Sequence, residues 1–385
     1  MLKQKILVFL LIGCALTTLI GCSDSDMGQK DDTDWFCYAD RPGMLVFTDD
    51  AYLFYNPEWQ YIQAMDLQCS APAIPICTKA ECTHSDSTCS AYVELPTYFY
   101  GYQDKVYYIA SDSDGKAGLY SMNITGEKRR QETELPQLDL LSGSISYNLY
   151  INDGYMLLSL WKEDIAAGTQ TCQLFLYDLN QIKDNPVEIF YDDSRNCQVE
   201  YHMYIMDGWA IYGISRALKS ESETEITQSS LYAYEIATGQ TVELVQDWSD
   251  RNSLSIKEGM LYWCAIDKGI YSVDLATGEE IEYRAFDTDE IMGSQGYDDQ
   301  YIYLSYLTDD PKVVIYDYEG NLITEITVTS DDVLPIYFFC SKDRAYFSYI
   351  GSQGADLYSL PVCYLNKADL AKGTAEFVYL DEQWN

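Results

Sequence analysis

From about residue 43 to the C-terminus, the chain repeats one pattern of apolar and polar positions. An aromatic-rich strand and a short polar turn lead into a strand of the type Leu-Tyr-x-x-Asp-Leu. The unit recurs seven times, at intervals of roughly 40 to 57 residues. The second strand of each copy is the clearest anchor, at 62–67, 119–124, 174–179, 231–236, 270–275, 313–318 and 357–361. Bulky residues occupy both faces of these segments, as in Leu174, Phe175, Leu176 and Tyr177. That suits sheets covered by neighbours on both sides. Helical periodicity is almost absent, and only 366–372 predicts a turn or two of helix.

A period of this size with several short strands per copy predicts an all-β fold, a single β-propeller. Seven blades are expected at 43–76, 97–135, 143–191, 199–247, 252–286, 290–328 and 333–381. Six or eight remain alternatives, because the first copy is degenerate. In the fifth copy four strands can be read, with turns at Glu258-Gly259, Asp267-Lys268-Gly269 and Ala276-Thr277-Gly278. Glycine and aspartate there supply the backbone angles of tight hairpins.

The N-terminal segment breaks the pattern. Lys3 and Lys5 precede an apolar run over 6–20, too short and wrongly flanked for a stable membrane helix. It ends in Leu19-Ile20-Gly21-Cys22, which resembles the lipobox of bacterial lipoproteins. That resemblance implies a signal peptide over 1–21 and acylation of Cys22, palmitate included. Residues 22–34 then read as the lipidated cysteine and a flexible acidic tether, with the propeller over 35–385. The expected location is the extracytoplasmic face of the cell membrane, held by lipid alone.

Charge narrows the partners. The net charge is −37, which repels nucleic acid and anionic bilayer surfaces. The 36 tyrosines are read first as rings packed between blades with hydroxyls reaching the edge. The sharper reading is a stacking platform for sugars or peptides.

One segment concentrates candidate chemistry. Cys77, Cys82, His84 and Cys89 lie within a short insert over 69–89, with Cys69 upstream. Three thiols and an imidazole form a Cys₃His set, which can close a tetrahedral zinc site. His84 is one of only two histidines, the other being His202. The alternative is disulfide pairing among Cys69, Cys77, Cys82 and Cys89, since exported proteins meet an oxidising milieu. Cys264, in an apolar strand, reads as a buried small hydrophobe. The spacing matches neither a thiol oxidoreductase motif nor a haem attachment motif. A structural zinc is the only cofactor expected.

With its Cys-x4-Cys-x-His-x4-Cys segment, lipobox and strand repeats, the chain resembles uncharacterised β-propeller lipoproteins common in gut Firmicutes, a DUF5050-like group. The resemblance implies a surface lipoprotein carrying a propeller and implies no activity. The function expected is a non-catalytic binding or scaffolding module for a protein or glycan. The alternative is a carbohydrate-active enzyme, a glycosidase or lyase, using carboxylates at the channel mouth. Its candidate acidic pairs are Asp192-Asp193, Asp298-Asp299, Asp309-Asp310 and Asp331-Asp332; no catalytic residue can be named from them.

Overall fold

The structure is a computed structural model. It describes residues 45–47, 51–56, 60–66, 72–86, 88–93, 98–111, 114, 116–138, 145–164, 169–182, 185–194, 197–219, 225–246, 254–265, 269–285, 292–306, 311–328, 334–341, 343–350 and 363–380. The predicted signal peptide, Cys22, the tether, Cys37 and Cys69 lie outside the described residues, as do the pairs Asp309-Asp310 and Asp331-Asp332.

Seven four-stranded antiparallel sheets follow one another along the chain as the blades of a β-propeller. Every blade falls within a few residues of its expected position. In the fifth, the strands are Leu254–Lys257, Met260–Ala265, Gly269–Asp274 and Glu280–Ala285. The degenerate first copy is a complete blade built from Leu45–Phe47, Ala51–Asn56, Tyr61–Asp66 and the short Ile74–Pro75. The seventh is described in part. Its third strand is Cys363–Asn366, which pairs with Arg344–Ile350, whereas the anchor at 357–361 lies outside the described residues. A short helix at Lys367–Leu370 falls within the single helical segment the pattern allowed.

Most of the repeated anchors are third strands, and the motif marks a structural irregularity. In blades 2 to 5 the pairing of the third strand with the outer strand slips at the first two motif residues. The slips fall at Leu119/Tyr120, Leu174/Phe175, Leu231/Tyr232 and Ile270/Tyr271. A bulge there increases the local twist that a propeller blade needs. The motif acid then ties the following turn: Asp178 accepts from Asn180 N–H and Asp274 from the N–H groups of Ala276 and Thr277. Between first and second strands, Glu258 and Gly259 both take positive φ, 53° and 77°, as a tight two-residue hairpin turn requires.

Blade-to-blade packing supplies the core. One buried cluster joins the first two blades, others join blades 2 to 3 and 3 to 4, and a larger one runs through blades 4 to 6. Tyrosines do much of this bridging. Tyr100, Tyr150 and Tyr204, from the first strands of blades 2, 3 and 4, meet edge to face with centroids 5.5 and 5.6 Å apart. Tyr303 is fully buried and its hydroxyl donates to Asp298 Oδ2 at 2.7 Å. For these residues the rings pack between blades as expected, but the Tyr303 hydroxyl ends on a buried carboxylate and not at the edge.

Candidate metal centre

The cysteine-rich insert emerges from the outer edge of blade 1. Two β-ladder segments cover that edge: Ile74–Pro75 pairs with Gln63 and Ala64, and Tyr92 bridges Tyr61. The insert leaves and returns at one residue, Ile62. Its carbonyl accepts from Ile76 N–H at 3.1 Å, and its own N–H donates to Ala91 O at 3.0 Å. The loop over 77–90 is thereby closed at its base by backbone bonds.

Blade 2 holds the other side. Thr78 Oγ1 donates to Glu127 Oε1 at 2.9 Å. The Arg129 guanidinium donates to Ser90 O at 3.2 Å and to Tyr92 O. Between them stands Gly126 at φ 80°, where a Cβ would lie 2.6 Å from Ile76 O. Only glycine lets the blade-2 turn approach the loop base this closely.

Inside the loop, short turns fold the ligands inward. Cys82 N–H donates to Lys79 O and Cys89 N–H to Asp86 O. Asp86 fixes the second turn by accepting from Thr88 N–H at 2.9 Å and from its hydroxyl at 2.6 Å, and the Lys79 ammonium donates across the loop to Thr88 O. His84 adopts φ 57°, a left-handed conformation uncommon for a residue with a Cβ. Its Nδ1 lies 3.3 Å from Cys89 Sγ, and its ring meets the edge of Tyr61 at 6.0 Å.

The result is convergence. The ligand atoms of Cys77, Cys82, His84 and Cys89 all lie within 4.8 Å of one another. Tetrahedral zinc sets sulfur–sulfur separations of about 3.8 Å and sulfur–nitrogen separations of about 3.6 Å. Small side-chain movements therefore bring this set onto one ion. Backbone groups already face the sulfurs: Ala91 N–H donates to Cys89 Sγ at 3.3 Å, and Lys79 and Ser90 N–H groups approach Cys77. Burial opposes ionisation of Cys77, but hydrogen bonds, those from the Lys79 and Ser90 N–H groups among them, bring its thiol down to about 6. Cys89 is pushed up to about 11 by burial and by sharing hydrogen bonds with Cys82 and Cys77. One thiol lowered beside another that is raised is the pattern of thiols crowded around a common centre. The site could hold a metal. None of the eight described cysteines is joined in a disulfide in this structure.

The acidic pairs are placed differently. Asp192 Oδ2 meets the Arg216 guanidinium at 3.2 Å. Asp298 is buried, accepting from the N–H groups of Gln300 and Tyr301, both at 2.7 Å, and pairing with the Lys367 ammonium at 3.0 Å. Lys367 also binds the exposed Asp299. These carboxylates are committed to cations and turns. Sequence reasoning missed the role of Lys367, because its partner is distant in sequence and no pattern links them. It did find Cys264, which is fully buried with its N–H donating to Gln295 Oε1. His202 lies in the strand Cys197–Met206, in blade 4.

No family model matches the sequence, and no curated protein matches it. Among solved structures, puromycin hydrolase is similar to this chain with a TM-score of 0.54 at 12% identity, over 90% of this chain and 55% of that one. A prolyl endopeptidase is similar at a TM-score of 0.51 and 10% identity, over 89% and 50%. The chain thus spans about half the length of these two proteins. The propeller domain of the Trilobed protease from Pyrococcus furiosus is matched over 97% of its length at a TM-score of 0.47 and 11% identity. At these identities the likeness shows the fold alone. Among the described residues, no helix is long and apolar enough to cross a membrane.

Proposed function

We propose that the chain is a membrane-anchored extracytoplasmic β-propeller lipoprotein, a non-catalytic binding or scaffolding module for a protein or glycan. It is tethered through acylated Cys22, and zinc bound by Cys77, Cys82, His84 and Cys89 staples the rim loop between blades 1 and 2. The observation that carries this reading is the four-ligand convergence in that loop. Four protein ligands fill a tetrahedral zinc, whereas a catalytic zinc keeps one position for water or substrate. The donor set therefore favours a structural ion that shapes a surface. The high negative charge favours partners other than nucleic acid. Engagement of Asp192 and Asp298 by Arg216 and Lys367 weighs against a glycosidase pair at those positions.

Detergent-phase partitioning tests the reading in a host that processes lipoproteins. The wild type should enter the detergent phase and label with palmitate, and Cys22→Ser should do neither. Equal partitioning of the two proteins removes the anchor from the proposal. Turnover of a glycan or peptide by the purified domain removes its non-catalytic character.

A further inference from the structure

Away from the metal centre, two more thiols meet across a blade boundary. Cys172 lies in the strand Thr169–Asp178 of blade 3, and Cys197 opens the strand Cys197–Met206 of blade 4. Both are buried, at 1% and 2% exposure, in the same apolar cluster with Leu174, Val199 and Ile214. Cys172 Sγ accepts from Val199 N–H at 3.1 Å, and the Cys197 thiol is in hydrogen-bond contact with it.

The strand registers hold the two sulfurs together. Cys172 lies opposite Asp192 on the outer strand of blade 3, and Cys197 lies opposite Arg216 on the second strand of blade 4. Asp192 and Arg216 are themselves joined at 3.2 Å. Two cross-strand pairs thus face each other across the blade boundary, joined once by the Asp192–Arg216 ion pair and once by the two sulfurs. Unlike the insert, this pair has no third His, Cys, Asp or Glu ligand atom within 4.8 Å of both sulfurs among the described residues. Two thiols without further ligands suit a covalent bond better than a metal.

We propose that Cys172 and Cys197 form a disulfide that locks blade 3 to blade 4 when the protein folds in the presence of a disulfide donor. The Cys172 thiolate attacks one sulfur of the donor, and the donor's other sulfur leaves as a thiolate. The Cys197 thiolate then attacks Cys172 Sγ in the mixed disulfide and releases the second donor thiol. Two protons pass from the protein thiols to the donor thiols, and two electrons reduce the donor. Burial of both sulfurs restricts the exchange to folding or to transient opening of the blade boundary. The inference stands without the lipid anchor or the zinc, because it concerns only this pair and a donor of that class.

The test is disulfide mapping of the domain refolded with zinc in a mixture of reduced and oxidised glutathione, alkylated, and digested without reduction. A peptide pair joined through Cys172 and Cys197 is expected. Alkylation of both cysteines, or their pairing with other cysteines, overturns the proposal. A Cys172→Ala/Cys197→Ala variant supplies a second readout. Reductant should lower the wild-type melting temperature by about 5 °C and leave the variant unchanged. An equal shift in both proteins contradicts the proposal.

Discussion

His84 Nδ1 lies 3.3 Å from Cys89 Sγ, although four residues lie between them and the histidine sits in a left-handed backbone conformation at φ 57°. Backbone strain of this kind persists where the surroundings over-determine it. Here they do: Ile62 ties both ends of the loop, Tyr61 faces the imidazole, and Arg129 clamps the returning strand. The geometry is that of a loop folded around a centre.

The loop base predicts the behaviour of Gly126. Its Cβ-bearing variant must move Ile76 O, 2.6 Å away, while holding φ at 80°. Gly126→Ala should destabilise the domain by about 1–3 kcal/mol, read as a lowered urea midpoint. Gly208→Ala is the control. It shares φ 80° but meets nothing within 4 Å, so it isolates the backbone cost from the clash. Equal losses in the two variants would show that the loop base does not press on this turn.

Lys367 predicts a larger loss. Its side chain is 5% exposed and pairs with a carboxylate that is fully buried. Replacing one partner leaves the other charge buried and uncompensated, at a cost of about 3–5 kcal/mol. Lys367→Met should show that loss in denaturant unfolding without altering bound metal. A loss under about 1 kcal/mol would mean that Asp298 is satisfied by its backbone and tyrosine donors alone.

The same pair fixes an alkaline limit. Burial works against the Lys367 ammonium, but Cys340, Asp298 and Asp299 more than offset it and raise its ionisation above the ordinary lysine value. Burial pushes the Cys340 thiol up to about 12, so near neutral pH the two aspartates carry the attraction. A raised lysine stabilises fully below the unfolded value of about 10.4 and ceases to do so as pH climbs through the folded value. The stability gap between wild type and Lys367→Met should therefore stay constant from about pH 7 to 9 and shrink above about 10.4. A gap that already shrinks near pH 8 contradicts the assignment.

Local unfolding separates the insert from the propeller. In Cys82→Ser/His84→Ala, or in wild type stripped by chelator, amides over 77–90 should lose hydrogen-exchange protection. Amides of Tyr155–Asp164 and Trp209–Lys219, central strands of blades 3 and 4, should keep theirs. Loss of protection in both regions would make the cluster part of the global fold and not a local staple.

Blade count and boundaries were legible because the strand pattern is local and repeated. The same spacing of Leu231, Tyr232 and Glu235 recurs as Ile270, Tyr271 and Asp274, so each copy checks the others. The Cys/His cluster was legible for the same reason: its four residues lie close in sequence and a single loop can gather them. In blade 7 the motif letters at Leu357 and Tyr358 lie outside the described residues, and the described part of the third strand is Cys363–Asn366. The contacts of Lys367 with Asp298 and of Cys172 with Cys197 were not legible. Each joins two blades, and blade-to-blade geometry leaves no signature in the spacing of either partner.

Metal content, measured together with free thiols on the domain from residue 35 onward and purified without chelator or reductant, tests the centre most directly. One equivalent of zinc, absent from Cys82→Ser/His84→Ala, is the predicted result. A metal-free protein in which Cys77, Cys82 or Cys89 is locked in a disulfide would contradict it.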